Sequence, residues 1–137
     1  MKLARTNALL PFAPYDSGDF TGKEGYPVLF ESSENAVQLA ADATGDPPFG
    51  VIVHAAKSPE LVTVAIAAGG LAGTVRLRLL QPTTAGKFLK VVTVGGATAF
   101  GPDTGTGERI VMAQALESGA AGELIEGVIF KPIYHAS

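Results

Sequence analysis

One pattern occurs twice in this chain, and that constrains its architecture more than any other feature. Gly25-Tyr26-Pro27-Val28-Leu29-Phe30 lines up with Gly86-Lys87-Phe88-Leu89-Lys90-Val91, and Asn35 to Asp42 lines up with Gly96 to Asp103, both at an offset of 61 residues. Further on, Glu60-Leu61-Val62-Thr63-Val64-Ala65-Ile66 falls on Glu123-Leu124-Ile125-Glu126-Gly127-Val128-Ile129, a slightly larger offset. The order is the same each time: a Gly turn, an apolar strand, a polar turn, a second strand, a loop, a third strand and a Glu-led fourth strand. Two pseudo-repeats follow, at about 25–66 and 86–129.

The period within each repeat is that of strands. Val62, Val64 and Ile66 alternate with Thr63 and Ala65, and Val75, Leu77 and Leu79 alternate with Arg76 and Arg78. Val91 and Thr93 alternate with Val92 and Val94. Seventeen glycines and nine prolines interrupt these runs. They mark turns at Thr44 to Pro48, Gly69-Gly70, Gly95-Gly96 and Pro102 to Gly105. Asn35 to Ala43 and Met112 to Ser118 are the best helical stretches, but they are short and poorly amphipathic. The expectation is an all-β chain: a small single-domain β-barrel or sandwich-like fold with an internal duplication and an extended N-terminal arm. The arm covers 1–21 and the β domain 22–137.

The arm is distinct because Pro11, Pro14 and Gly18 interrupt it and no alternation is visible. Yet it holds Leu9, Leu10, Phe12, Tyr15 and Phe20, more large apolar groups than a free leader carries. Two readings stand. The arm packs on its own domain, or it orders against a partner with Arg5 meeting an acidic patch. On the second reading, removing residues 1–20 leaves a folded β core.

Length and composition narrow the function. At 137 residues the chain makes one domain, or two very small ones. With 47% hydrophobic and 17% charged residues it is globular. It has no cysteine, which excludes a disulfide framework and a thiol nucleophile. A net charge of −3 is unlike a nucleic-acid binder. Leu61 to Leu80 contains Arg76 and Arg78 and does not read as a membrane span. The apolar run of Met1 to Phe12 is too short and Pro-broken for a signal peptide.

Reactive motifs are few. Val64 to Gly73 imitates a dinucleotide turn, but Thr74 to Leu80 continues as a strand where a helix N-terminus is needed. Ala85-Gly86-Lys87-Phe88 lacks both the upstream glycine and the hydroxyl residue of a phosphate loop. The two histidines, His54 and His135, are far apart in sequence, and no serine sits in a nucleophile elbow. The carboxylates cluster at turns, and no calcium loop is present. The expectation is therefore no catalytic residue, no cofactor and no metal: a protein that binds or assembles.

Three features carry a family resemblance: Gly86-Lys87-Phe88-Leu89-Lys90-Val91, Ile110-Val111-Met112-Ala113-Gln114-Ala115-Leu116-Glu117, and the ending Ala121-Gly122-Glu123-Leu124-Ile125-Glu126-Gly127-Val128-Ile129. Over residues 22–133 the chain resembles the small capsid decoration, or head cement, proteins of tailed bacteriophages. The resemblance implies a non-enzymatic virion structural protein on the outer surface of the mature icosahedral capsid. It implies a homotrimer that cross-links neighbouring major capsid protein subunits, with no nucleic-acid or membrane partner. The arm residues Arg5, Leu9, Leu10, Phe12, Tyr15 and Phe20 would be its capsid-binding arm. Two alternatives remain: a small β ligand-binding module or enzyme with a pocket near His54, and a tail or baseplate component.

Overall fold

The computed structural model describes residues 9–31, 35–67 and 73–136. Among them the regular structure is ten strands and one 3₁₀ turn, Tyr15–Ser17. The first five strands are β1 (Leu9–Pro14), β2 (Pro27–Glu31), β3 (Ala36–Leu39), β4 (Gly50–His54) and β5 (Val62–Ile66). They form a closed barrel in the order β1-β3-β2-β4-β5. The second five are β6 (Val75–Arg78), β7 (Phe88–Val94), β8 (Ala97–Pro102), β9 (Arg109–Ala115) and β10 (Leu124–His135). They make a barrel-like sheet in the order β6-β10-β9-β7-β8. The all-β expectation is met. Asn35 to Ala43 and Met112 to Ser118 supply β3 and the end of β9 rather than helices.

The two halves have one topology. Each antiparallel pair of the first half has its counterpart in the second, strand for strand. The parallel pairing of β1 with β3 at Pro14 and Val37 recurs as a parallel bridge between Leu79 and Phe100. Turn hydrogen bonds repeat as well. The Gly25 amide donates to the Ile52 carbonyl at 2.8 Å, and the Gly86 amide to the Ala115 carbonyl at 2.8 Å. The Glu60 amide donates to Lys57, and the Glu123 amide to Ala120. Pairing refines the alignment at one point. Val28 faces Leu39 and Leu89 faces Pro102, so β7 follows β2 by 61 residues but β8 follows β3 by 63. The β7–β8 hairpin is two residues longer and pairs six residues across against four. Its tip is Gly95-Gly96 at φ 60° and 83°, the positive values a two-residue hairpin turn needs.

The repeats also begin earlier than the sequence pattern suggests. Residues 9–14, expected in an extended arm, are β1. This strand pairs antiparallel with β5, Leu10 opposite Val64, and parallel with β3, Ala13 opposite Ala36. Burial along Leu9–Pro14 runs from exposed to buried instead of alternating, because the strand enters the barrel wall from its rim. That gradient hides it from a period-2 reading.

Each half has its own interior. Phe20, Val28, Val37, Ile52, Val62 and Val64 fill the first. Leu77, Leu79, Leu89, Phe100, Met112 and Ile125 fill the second, and the same apolar cluster takes in Val51, Ala65 and Ala67 from the outer face of the first. The halves are therefore joined by apolar packing. One backbone hydrogen bond crosses between them: the Arg78 amide donates to the Gly25 carbonyl at 3.1 Å. Gly25 sits at φ +84° with its Cα so close to β6 that an added Cβ would meet the Arg78 nitrogen at 2.5 Å. Here only glycine fits.

Candidate functional site

Side chains outside the two interiors hold what the chain can offer a partner. Of the arm residues, Leu9 and Leu10 lie on β1 with 46% of their surface exposed. Phe12 is half-buried in an edge-to-face trio with Phe30 and Phe49, at centroid distances of 5.9 and 5.5 Å. Tyr15 is half-buried and Phe20 is part of the first interior. Arg5 lies outside the described residues, as does the turn expected at Gly69-Gly70. Residues 9–14 and Phe20 thus pack on the first half of the chain itself. The structure does not gather these residues into one projecting arm; it leaves only the two leucines open. The sequence missed Leu61, at the start of the Glu-led strand and 51% exposed. Because Phe12 pairs with Val62, Leu61 lies at the Ala13 end of β1, the opposite end from Leu9 and Leu10.

On the second half, Phe88 and Leu116 are half exposed, and Phe88 packs edge-on against Phe130 at 6.1 Å. These residues belong to the outward face of β7, β9 and β10, where Phe88 opposes Gln114 and Gln114 opposes Val128. β10 continues past a register shift to His135, with Ile133 and Tyr134 exposed. The Tyr134 hydroxyl donates to the Glu108 carboxylate, which holds the phenol above its ordinary pKa. Nearby, Arg109 and Asp103 form an ion pair at 2.7 Å with both side chains largely buried. That pair fixes the loop whose Asp103 carboxylate also accepts the Gly105 amide. At the other end, Asp19 accepts the Thr21 amide at 2.9 Å, and hydrogen bonds from Thr21 lower its pKa.

A cavity of about 420 Å³ lies where the halves meet. Leu9, Val53 and Leu124 line it with Glu24, Arg76 and Glu126. Its size is that of a small-molecule site. His54 is exposed at the end of β4 and does not line it. Among the described residues no three His, Asp or Glu side chains converge as a metal centre would require.

No family model and no curated protein matches the chain.

Proposed function

We propose that the chain is a virion structural protein that decorates the outside of a mature icosahedral head. In this reading it acts as a homotrimer and ties neighbouring major capsid subunits together. One observation supports the reading most. A single chain presents two versions of one barrel, and each shows exposed apolar side chains: Leu9, Leu10 and Leu61 on one, Phe88, Leu116, Ile133 and Tyr134 on the other. A cross-linker needs two attachment surfaces held at a set spacing, and linked surfaces reinforce each other through effective concentration. A protein that binds only the expanded shell stabilises that shell by mass action, copy by copy.

The test is co-sedimentation with isolated heads. Binding to expanded heads and none to unexpanded ones is the expected result; no binding to either overturns the reading. The inter-barrel cavity favours a second reading, a ligand-binding module whose Arg76 and two carboxylates would orient a small polar molecule. A raised melting temperature in a screen of small polar metabolites, lost in Arg76→Ala, would favour it.

A further inference from the structure

Three charged side chains line the cavity between the barrels, and the duplication shows that they are particular to it. Along β6, Val75 and Leu77 point into the second interior, so Arg76 between them points outward. Glu126 is its direct partner across the ladder on β10. Glu24 comes from the other wall. It precedes Gly25, whose carbonyl accepts the Arg78 amide, so the contact that joins the halves also carries Glu24 to the cavity. Among the described residues, none of these three side chains has a hydrogen bond or an ion pair.

The matching positions elsewhere in the chain carry no charge. Pro11 and Thr63 form the equivalent cross-strand pair on the first barrel. Ala85 precedes Gly86 where Glu24 precedes Gly25. The two copies of the fold therefore differ at all three positions in the same way: the copy that faces the cavity is the ionised one.

Between the charged groups the lining is apolar. Leu9 and Val53 stand on the side of the first barrel, 46% and 40% exposed, and Leu124 on the side of the second. A volume of about 420 Å³ is at the small end for ligand sites. One positive and two negative groups decide what fits. A plain anion would meet Arg76 but also two carboxylates. A plain diamine would satisfy the carboxylates and leave the guanidinium bare. A neutral apolar molecule would desolvate all three without pairing any. The ligand that matches every group has one carboxylate, two ammonium groups and a hydrocarbon chain between them.

We infer that the cavity binds a basic α-amino acid of the lysine or ornithine type. The inference rests on the reading of this cavity as a ligand site and names its ligand. The α-carboxylate lies on the Arg76 guanidinium, whose planar fork offers it two parallel hydrogen bonds. The α-ammonium lies on Glu126. Opposed residues on paired strands stand about 4.5–5.5 Å apart at Cβ, close enough to hold two groups carried by one carbon. The methylenes run over Leu9, Val53 and Leu124, and the terminal ammonium reaches Glu24 on the opposite wall.

The experiment is isothermal titration calorimetry of the full chain with L-lysine, and with L-leucine and cadaverine for comparison. Leucine lacks the terminal ammonium, and cadaverine lacks the α-carboxylate. Lysine is expected to bind at one site per chain, about tenfold or more tighter than either, as the loss of a hydrogen bond between charged groups implies. Glu24→Gln is expected to bring lysine down to the affinity of leucine and to leave leucine unchanged. Arg76→Gln is expected to weaken lysine and leucine alike by about tenfold or more and to leave cadaverine unchanged. Unchanged circular dichroism confirms that each variant folds; Glu24→Ala, which copies the matching turn at Ala85, replaces Glu24→Gln if that one does not. Failure of lysine to bind, leucine or cadaverine binding as tightly as lysine, or a Glu24→Gln variant that keeps the preference for lysine overturns the inference. The cavity reading survives such a result if another small polar metabolite raises the melting temperature of the wild type and not of Arg76→Ala; if none does, that reading falls as well.

Discussion

The two barrels solve one closure problem in different ways. In the first, β1 runs between β5 and β3 and pairs with both, so the wall is continuous. In the second, β6 pairs with β10 but reaches β8 only through the Leu79–Phe100 bridge and the Leu80 amide on the Phe100 carbonyl. At Arg78 the β6 edge is met by the Gly25 turn of the first barrel, whose carbonyl accepts the Arg78 amide. Their interiors differ in the same sense. Where the first has Val37, the second has Phe100, and both are fully buried. An edge that the wall itself leaves open must be satisfied by something else. The comparison teaches that the second unit depends on the first for part of its backbone hydrogen bonding, while the first is closed by its own strands.

The harshest way to break this comparison is to remove β1. Deleting residues 1–14 strips the partner from both β5 and β3, exposing two strand edges at once. The expected outcome is loss of the cooperative unfolding transition and strong binding of a hydrophobic dye, followed by aggregation. A truncated chain with a wild-type melting curve would show that β1 is dispensable.

Interior volume gives the next test. Phe100→Ala should cost about 3–5 kcal/mol, the usual range for deleting a buried phenylalanine. Val37→Ala, at the matching position, removes far less and should cost about 1.5 kcal/mol on the methylene scale. Urea midpoints of the two variants measure the contrast. Equal losses would mean that the two interiors carry comparable loads.

Substitution at the paired turn glycines sharpens the difference in their surroundings. Gly25→Ala combines positive-φ strain of about 1–3 kcal/mol with overpacking against β6 of about 1–3 kcal/mol. Gly86→Ala, at φ +91° in open space, keeps only the strain. Denaturant unfolding of the two variants should therefore rank Gly25→Ala well below Gly86→Ala.

The smallest expected effect is at the end of β10. Tyr134 is neutral when protonated, and the Glu108 carboxylate raises its pKa above 10.0. A raised folded-state pKa gives stability that is present below the unfolded value and is lost as pH rises through the folded one. Tyr134→Phe should thus lower the melting temperature slightly at neutral pH and not at all once the phenol is ionised. In Glu108→Gln, ultraviolet titration should show one tyrosine ionising at a lower pH than in the wild type.

Legibility in the sequence followed exposure of the pattern. β6 alternates because one of its faces is buried and the other wetter. The duplication could be seen because turn glycines such as Gly25 and Gly86 must stay glycine at φ +84° and +91°. β1 was hidden by Pro11 and Pro14 and by its one-way burial gradient, and the arm it was assigned to absorbed its leucines. The shift from 61 to 63 residues was hidden because a hairpin longer by two residues leaves no mark on composition. The exposure of Phe88 and Leu116 could not be recognised from sequence, since it depends on what lies against them and not on their residue types.

The hydrogen bond from the Arg78 amide to the Gly25 carbonyl also sets a direction in time. Every strand of the first barrel lies within Leu9–Ile66, so that unit emerges from the ribosome ahead of β6. Its Gly25 turn is then already in place when the edge of β6 emerges, and the nascent second unit grows against a finished template. N-terminal units generally fold first during synthesis. In this chain that order also shields a newly made strand edge from the neighbouring polypeptides of a crowded translating cell.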